Sequence, residues 1–165
     1  MPAAAQPLKH TGAAGRTPAP AAARLAMVRA LVAGDPRFEV DALELERGGV
    51  SFTVDTLAAV AARHPGAERY CLVGADVLPA FHRWREPLRV RSLATLVVLA
   101  RAVEGGAPGA DALAALPGGA PRLLPTRRVD VSSTEVRARA AAGRPLGGFV
   151  PDAVAAIIRG GRLYQ

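Results

Sequence analysis

The densest group of polar side chains in the chain is Val131-Ser132-Ser133-Thr134-Glu135-Val136-Arg137. Ser132 and Glu135 have the S-x-x-E spacing of a capping box, which satisfies free N–H groups at a helix start. Such a start favours anions through its unpaired donors and the helix dipole. Ser133 and Arg137, four apart, share one helical face. Hydroxyls, backbone N–H groups and a guanidinium then converge on one small volume, enough to hold a phosphate without a Gly-rich loop. The same residues also describe a plain capped surface helix, with Ser132 as its N-cap. The histidines offer no rival chemistry, since His10, His64 and His82 have no ligand spacing and no metal site is expected.

The elements that must position this group follow from periodicity. A length of 165 residues fits one domain with a real core. Residues 1–20, rich in Ala, Pro and Gly, read as loop. Ala21 to Ala33 reads as a helix with Leu25, Val28 and Val32 on one face. Phe38, Val40 and Ala42 alternate as in a strand reaching about Leu45. After the turn Arg47-Gly48-Gly49, a helix runs from Thr53 to Arg63, with Leu57 and Val60 or Ala61 inward. Tyr70 to Val73 is a buried strand, Gly74-Ala75-Asp76 a tight turn, and Val77 to about Trp84 a helix. Leu96 to Leu99 is a second buried strand. Residues 102–121 form a Gly/Ala/Pro-rich loop with one helical turn at most, and Leu123-Leu124 a short strand. The Ser132 motif opens a helix to about Ala142, and Pro151 begins a last one ending near Gly160-Gly161. Short apolar strands alternating with helices imply an α/β fold with a parallel sheet covered on both faces. Ligands in such folds sit at the carboxyl ends of the strands.

Composition narrows the function. Nearly all basic residues are Arg, Lys9 being the one Lys, and the formal charge is +7. The arginines are scattered, with no aromatic ladder among them, which speaks against nucleic acid and suits a small phosphorylated ligand. Salt-dependent binding to nucleic acid is the discriminator of that alternative. The lone Cys71 excludes an intrachain disulfide and reads as packing in an apolar run; a reducing compartment follows. With no membrane-span pattern and no signal pattern at the N-terminus, the protein is expected in the cytoplasm.

Five segments in order resemble the bacterial nicotinate-nucleotide adenylyltransferases of the nucleotidylyltransferase superfamily. Asp35-Pro36-Arg37-Phe38-Glu39-Val40-Asp41 is the first. Arg47 to Leu57, RGGVSFTVDTL, is similar to R-x-G-x-S-Y-T-x-D-T-L, with Phe52 where the family commonly has Tyr. Val73-Gly74-Ala75-Asp76 and Leu78 resemble I-G-A-D-x-L, with Trp84 following at the family's spacing. Val131 to Arg137 resembles I-S-S-T-x-I-R, and Val150-Pro151 through Leu163-Tyr164 resembles V-P-x-x-V…L-Y. Between them, Val97-Val98 with Arg101 is similar to a strand ending in Arg-Pro. The resemblance covers nearly the whole chain.

It implies a Rossmann-like doubly wound parallel sheet and adenylyl transfer: the 5′-phosphate of nicotinate mononucleotide attacks the α-phosphate of ATP, pyrophosphate leaves and deamido-NAD forms. Mg²⁺ is expected with ATP. Gly74, Asp76, Ser132, Ser133, Thr134 and Arg137 are implied as ATP-binding, with Asp76 accepting from a ribose; on residue type alone Asp76 is equally an N-cap. Thr53, through its backbone N–H, and Trp84, by stacking on the nicotinate ring, are implied as the pyridine pocket. By residue type they are equally a helix cap and core packing. Lys9 and Arg101 are possible phosphate contacts.

The resemblance departs at the front. The family's G-x-F-D-P-x-H-x-G-H, whose histidines bind the ATP phosphates, is absent, and His10-Thr11-Gly12-Ala13 is not a substitute. No catalytic residue is therefore assigned. The missing part corresponds to an N-terminal β-α-β unit of about 30 or more residues. Its absence implies a late start codon, a fragmentary gene copy or a non-catalytic nucleotide binder, and poor activity in the chain as it stands.

Overall fold

The computed structural model describes residues 1–7, 18–101, 113–127 and 129–165. In chain order the elements are α1 (Ala21–Val32), α2 (Leu43–Arg47), α3 (Thr53–Arg63), β1 (Tyr70–Gly74), a 3-10 segment (Ala75–Arg83), α4 (Pro87–Leu93), β2 (Thr95–Arg101), β3 (Arg122–Thr126), α5 (Ser133–Ala141) and α6 (Asp152–Gly160). They divide into two compact units, one of Met1–Ser51 with Asp130–Gln165, the other of Phe52–Val129. Each builds its own core.

The second unit is α/β. Its sheet is parallel, in the order β1-β2-β3. Parallel neighbours need a crossover rather than a hairpin, and the 3-10 segment with α4 supplies it between β1 and β2. Pro79 inside the 3-10 segment has no N–H to donate, so it interrupts the helical ladder at that position. The central strand is the most apolar, with Leu96, Val97 and Val98 buried. Against it pack Phe81 and Val90, both wholly buried, and Val54 at the start of α3. Arg69 fastens the entry to β1 by donating to the carbonyls of Leu93, His64 and Ala67. Arg91 on α4 donates to the carbonyls of Gly118, Gly119 and Ala120. Gly118 has φ +83°, and a Cβ there would lie 3.1 Å from the Arg91 side chain, so glycine suits both the conformation and the contact.

In the first unit α1 packs against α6. The core is Ala19, Val136, Ala140, Leu146, Val154, Ala155, Ile158 and Leu163. The leading segment is held by a parallel bridge between Ala5 and Val50. The buried Ser51 reinforces it: its N–H donates to the Ala5 carbonyl and its Oγ accepts from the Ala4 N–H. Arg24 of α1 donates to the carbonyls of Ala19, Ala3 and Ala4.

The elements depart from sequence expectation in four places. Residues 38–42 are not a strand, and Leu43–Arg47 is a helix. Asp41 Oδ1 accepts the Leu43 N–H at 2.8 Å, a local turn that competes with extended pairing. The packed face of α1 is Ala23, Met27 and Ala30 rather than Leu25, Val28 and Val32; an Ala-rich helix is apolar on several sides, so periodicity selects its inner face poorly. The α4 helix was not anticipated, although Pro87 at its first turn is a helix-start signal. Finally, β1 is not buried on both sides. Val73 is, but Tyr70 and Leu72 are 47% and 58% exposed; the two share one face of β1, and Cys71 and Val73 turn the other face to the core. Within α3, Val54 is the deepest residue, with Leu57 packed beside it. Of the expected loop 102–121, residues 102–112 lie outside the described residues. Among the described residues no helix is long and apolar enough to cross a membrane.

Two outcomes follow from this packing. Phe81→Ala removes a wholly buried ring and is expected to cost about 3–5 kcal/mol in urea unfolding. Burial pushes the Cys71 thiol above its ordinary value. Its alkylation by iodoacetamide at pH 7 is therefore expected to be slower in the folded protein than in denaturant. The linked stability is complete below the unfolded thiol value of about 8.5 and is lost as the pH rises through the folded value.

Candidate functional site

The anion-binding motif of the sequence opens α5 in the first unit. Ser132 is extended (φ −113°, ψ 147°) and its Oγ accepts the Glu135 N–H at 3.1 Å, the Ser half of a capping box. The Glu135 carboxylate meanwhile lies 3.6 Å from Arg139 Nη1, one turn on. Arg139 also donates to the Pro145 carbonyl and lies 4.3 Å over the Phe149 ring. Arg137 donates from Nη2 to Ser133 Oγ at 3.1 Å, so the expected pairing on one helical face is realised. Val136 and Ala140 anchor the opposite face in the core, while Ser132, Ser133 and Thr134 remain exposed. The helix start thus presents hydroxyls, unpaired backbone donors and a guanidinium to solvent.

In the second unit, β1 ends at Gly74 and the chain turns at once into the 3-10 segment. A Cβ on Gly74 would lie 2.3 Å from Asp76 Oδ1. Glycine leaves room for the Asp76 carboxylate in this position, and a larger residue would displace it, a reason the sequence alone did not offer. Asp76 is not the N-cap; it sits inside the first turn, exposed. Thr53 is the first residue of α3, and the N-cap is Phe52, whose carbonyl accepts the N–H groups of Asp55 and Thr56. By helix geometry the Thr53 N–H has no acceptor within its own helix.

Trp84 closes the 3-10 segment, its N–H donating to the Phe81 carbonyl at 3.0 Å. Its ring is 5.2 Å from the Phe81 ring at an interplanar angle of 49°. It is half-buried, packed on the core and still partly open, so packing and an open ring coexist in one residue.

Arg101 is the last residue of β2, opposite Thr126; its side chain lies outside the described part. Lys9 also lies outside the described residues, as does His10. Among the described residues, no three His, Cys, Asp or Glu side chains gather as a metal cage. Two residues that sequence reasoning passed over stand beside Thr53 and Trp84. Asp55 accepts from Arg85, whose Nη1 is 3.3 Å from Asp55 Oδ2 and whose guanidinium lies 4.9 Å over the Phe52 ring. Asp55 stands inside the R-x-G-x-S-Y-T-x-D-T-L resemblance, which was the available signal; Arg85 had none beyond following Trp84.

A parallel sheet with a Gly-Ala-Asp turn at its strand end, and a capped helix carrying Ser-Ser-Thr and Arg, are features of nucleotidyl transferases. The cytidylyltransferase-like family model matches residues 3–139. A relative from Gemmatimonas aurantiaca, named "Probable nicotinate-nucleotide adenylyltransferase", is 47% identical over 167 residues, covering 100% of this chain and 76% of that protein. One of the same name from Roseiflexus sp. is 41% identical over 169 residues, covering 100% and 81%. The chain belongs to the cytidylyltransferase-like family and, within it, to the nicotinate-nucleotide adenylyltransferases. The solved Plasmodium falciparum nicotinic acid mononucleotide adenylyltransferase, complexed with APC, has a TM-score of 0.54 at 16% identity, a likeness of fold alone. It covers 70% of this chain and 59% of the solved one, so this chain spans less than two thirds of that length.

Ser132→Ala leaves the Glu135 N–H without its acceptor. It is expected to lower stability by about 1 kcal/mol, read as a shift in urea midpoint at unchanged slope.

Proposed function

We propose that this chain serves adenylyl transfer from ATP to nicotinate mononucleotide, giving deamido-NAD and pyrophosphate in NAD biosynthesis. The observation that carries this reading is the 47% identity over the whole chain to a relative so named, together with a Gly74-Ala75-Asp76 strand end and a Ser132–Arg137 helix start of suitable chemistry. In the reaction a 5′-phosphate oxygen of the mononucleotide forms a bond to the α-phosphorus of ATP. The bond from that phosphorus to the β-bridging oxygen breaks, and pyrophosphate carries away the electron pair. No covalent enzyme intermediate is needed, so the protein's work is positioning and charge stabilisation.

Arg137 and the N–H groups and hydroxyls of Ser132, Ser133 and Thr134 suit an ATP phosphate. Asp76 suits a ribose hydroxyl, with Gly74 giving it room. The half-buried Trp84 ring suits an offset stack on the nicotinate ring, and the Thr53 N–H suits a ligand oxygen. Lys9 and Arg101 are further candidates for phosphate contact. Magnesium would enter with ATP and offset charge on its phosphates. The substrates and the single Cys71 suit the cytoplasm.

No H-x-G-H occurs in the 165 residues. The family reaction is thus expected to be slow in this chain by itself, although it binds the nucleotides. Calorimetry with ATP and with nicotinate mononucleotide, beside an assay of pyrophosphate release, tests both parts. Binding of neither nucleotide overturns the assignment. Turnover of about 1 s⁻¹ or faster, ordinary for an enzyme, overturns the expectation of low activity.

A further inference from the structure

Thr53 and Trp84 come from separate elements, the start of α3 and the end of the 3-10 segment, and no strand pairing links them. Arg85 does. It follows Trp84 directly, and its guanidinium lies 4.9 Å over the ring of Phe52, the residue before Thr53. Its Nη1 donates to Asp55 Oδ2 at 3.3 Å, two residues after Thr53. One planar side chain therefore holds the α3 start on both sides of Thr53. Glu86 holds Arg85 in turn, with Oε1 3.7 Å from Arg85 Nε and Oε2 3.2 Å from Arg89 Nη1. Glu86 itself has φ +51°, a left-handed conformation costly for a residue with a Cβ, so the backbone makes a sharp turn directly after Arg85.

Two features exclude simpler roles for this arrangement. Arg85 and Asp55 side chains are 50% and 39% exposed, and ion pairs so exposed contribute about 0–1 kcal/mol to stability. The fold does not depend on the pair. Arg85 also faces two carboxylates, Asp55 and Glu86, so it is not an unspent cation awaiting an anionic ligand. What remains is geometry: a flat guanidinium over one ring, bonded through Nη1 to one carboxylate and facing a second through Nε, admits few orientations.

We propose that Arg85, stacked on Phe52 and held by Asp55, is a positioning residue that sets the Trp84 ring against the Thr53 backbone N–H and thereby sets affinity for the pyridine nucleotide. The proposal rests on the reading of Thr53 and Trp84 as the pyridine pocket, and the test separates the two. Trp84 is the sole tryptophan, so quenching of its fluorescence reports nicotinate mononucleotide on the full chain. Arg85→Ala and Asp55→Asn are expected to weaken that affinity by about tenfold or more, with ATP affinity by calorimetry and the urea midpoint unchanged. Arg85→Lys, which keeps the charge and loses the planar stack, is expected to resemble Arg85→Ala. Equal affinity in wild type and Arg85→Ala overturns the proposal alone. So does a parallel loss of both nucleotides, which marks a merely structural role, or full function in Arg85→Lys. A wild type whose Trp84 emission ignores the mononucleotide overturns the pocket and the proposal together.

Discussion

The register in which β1 pairs with β2, Tyr70 opposite Thr95 and Gly74 opposite Leu99, decides where the first strand stops. Parallel pairing sends both carboxyl ends the same way, and the burial of Leu96, Val97 and Val98 fixes β2 in its place. A slip of one residue would turn Val73 outward and Leu72 into the core. It would also move the Gly74–Asp76 turn, whose carboxylate lies close over Gly74. The 3-10 segment then carries Phe81 into the core and leaves Trp84 at its edge. The placement of the aromatic ring is thus a consequence of strand register, carried through one short helical segment.

Several of the arginines behind the charge of +7 are committed to contacts within the fold. Arg24, Arg69, Arg91 and Arg139 each donate to backbone carbonyls, and Arg85 and Arg139 also stack on Phe52 and Phe149. A guanidinium can bond several carbonyls from one planar group and lie flat on a ring, a shape a lysine ammonium lacks. In a chain with one Lys, this chemistry fastens loops to elements.

Legibility in the sequence followed the kind of force involved. The helices at 53–63, 133–141 and 152–160 were readable because caps, prolines and apolar spacing agreed there. Strands β1 and β2 were readable as apolar runs. The helix at Leu43–Arg47 was misread because Phe38, Val40 and Ala42 alternate, while the deciding bond, Asp41 Oδ1 to the Leu43 N–H, is local and outweighs alternation. The inner face of α1 was misread because alanine marks no direction. In the candidate site, Ser132 as cap and Ser133 with Arg137 as neighbours came from helix spacing alone. Gly74's close contact with Asp76 and Arg85's grip on Phe52 and Asp55 join atoms through tertiary turns, which no spacing rule encodes.

The half-covered β1 has a colloidal consequence. Its five residues, Tyr-Cys-Leu-Val-Gly, carry no charge and no proline, the usual devices that stop one strand from adding to another. Among the described residues nothing pairs with its outer side, and Leu72 stands beside it in solvent. The net charge of +7 is a general deterrent to such pairing, since like-charged copies repel. That repulsion reaches only about 10 Å at 0.1 M salt and about 3 Å at 1 M. Added salt weakens that general deterrent at an edge whose own residues carry no blocking charge.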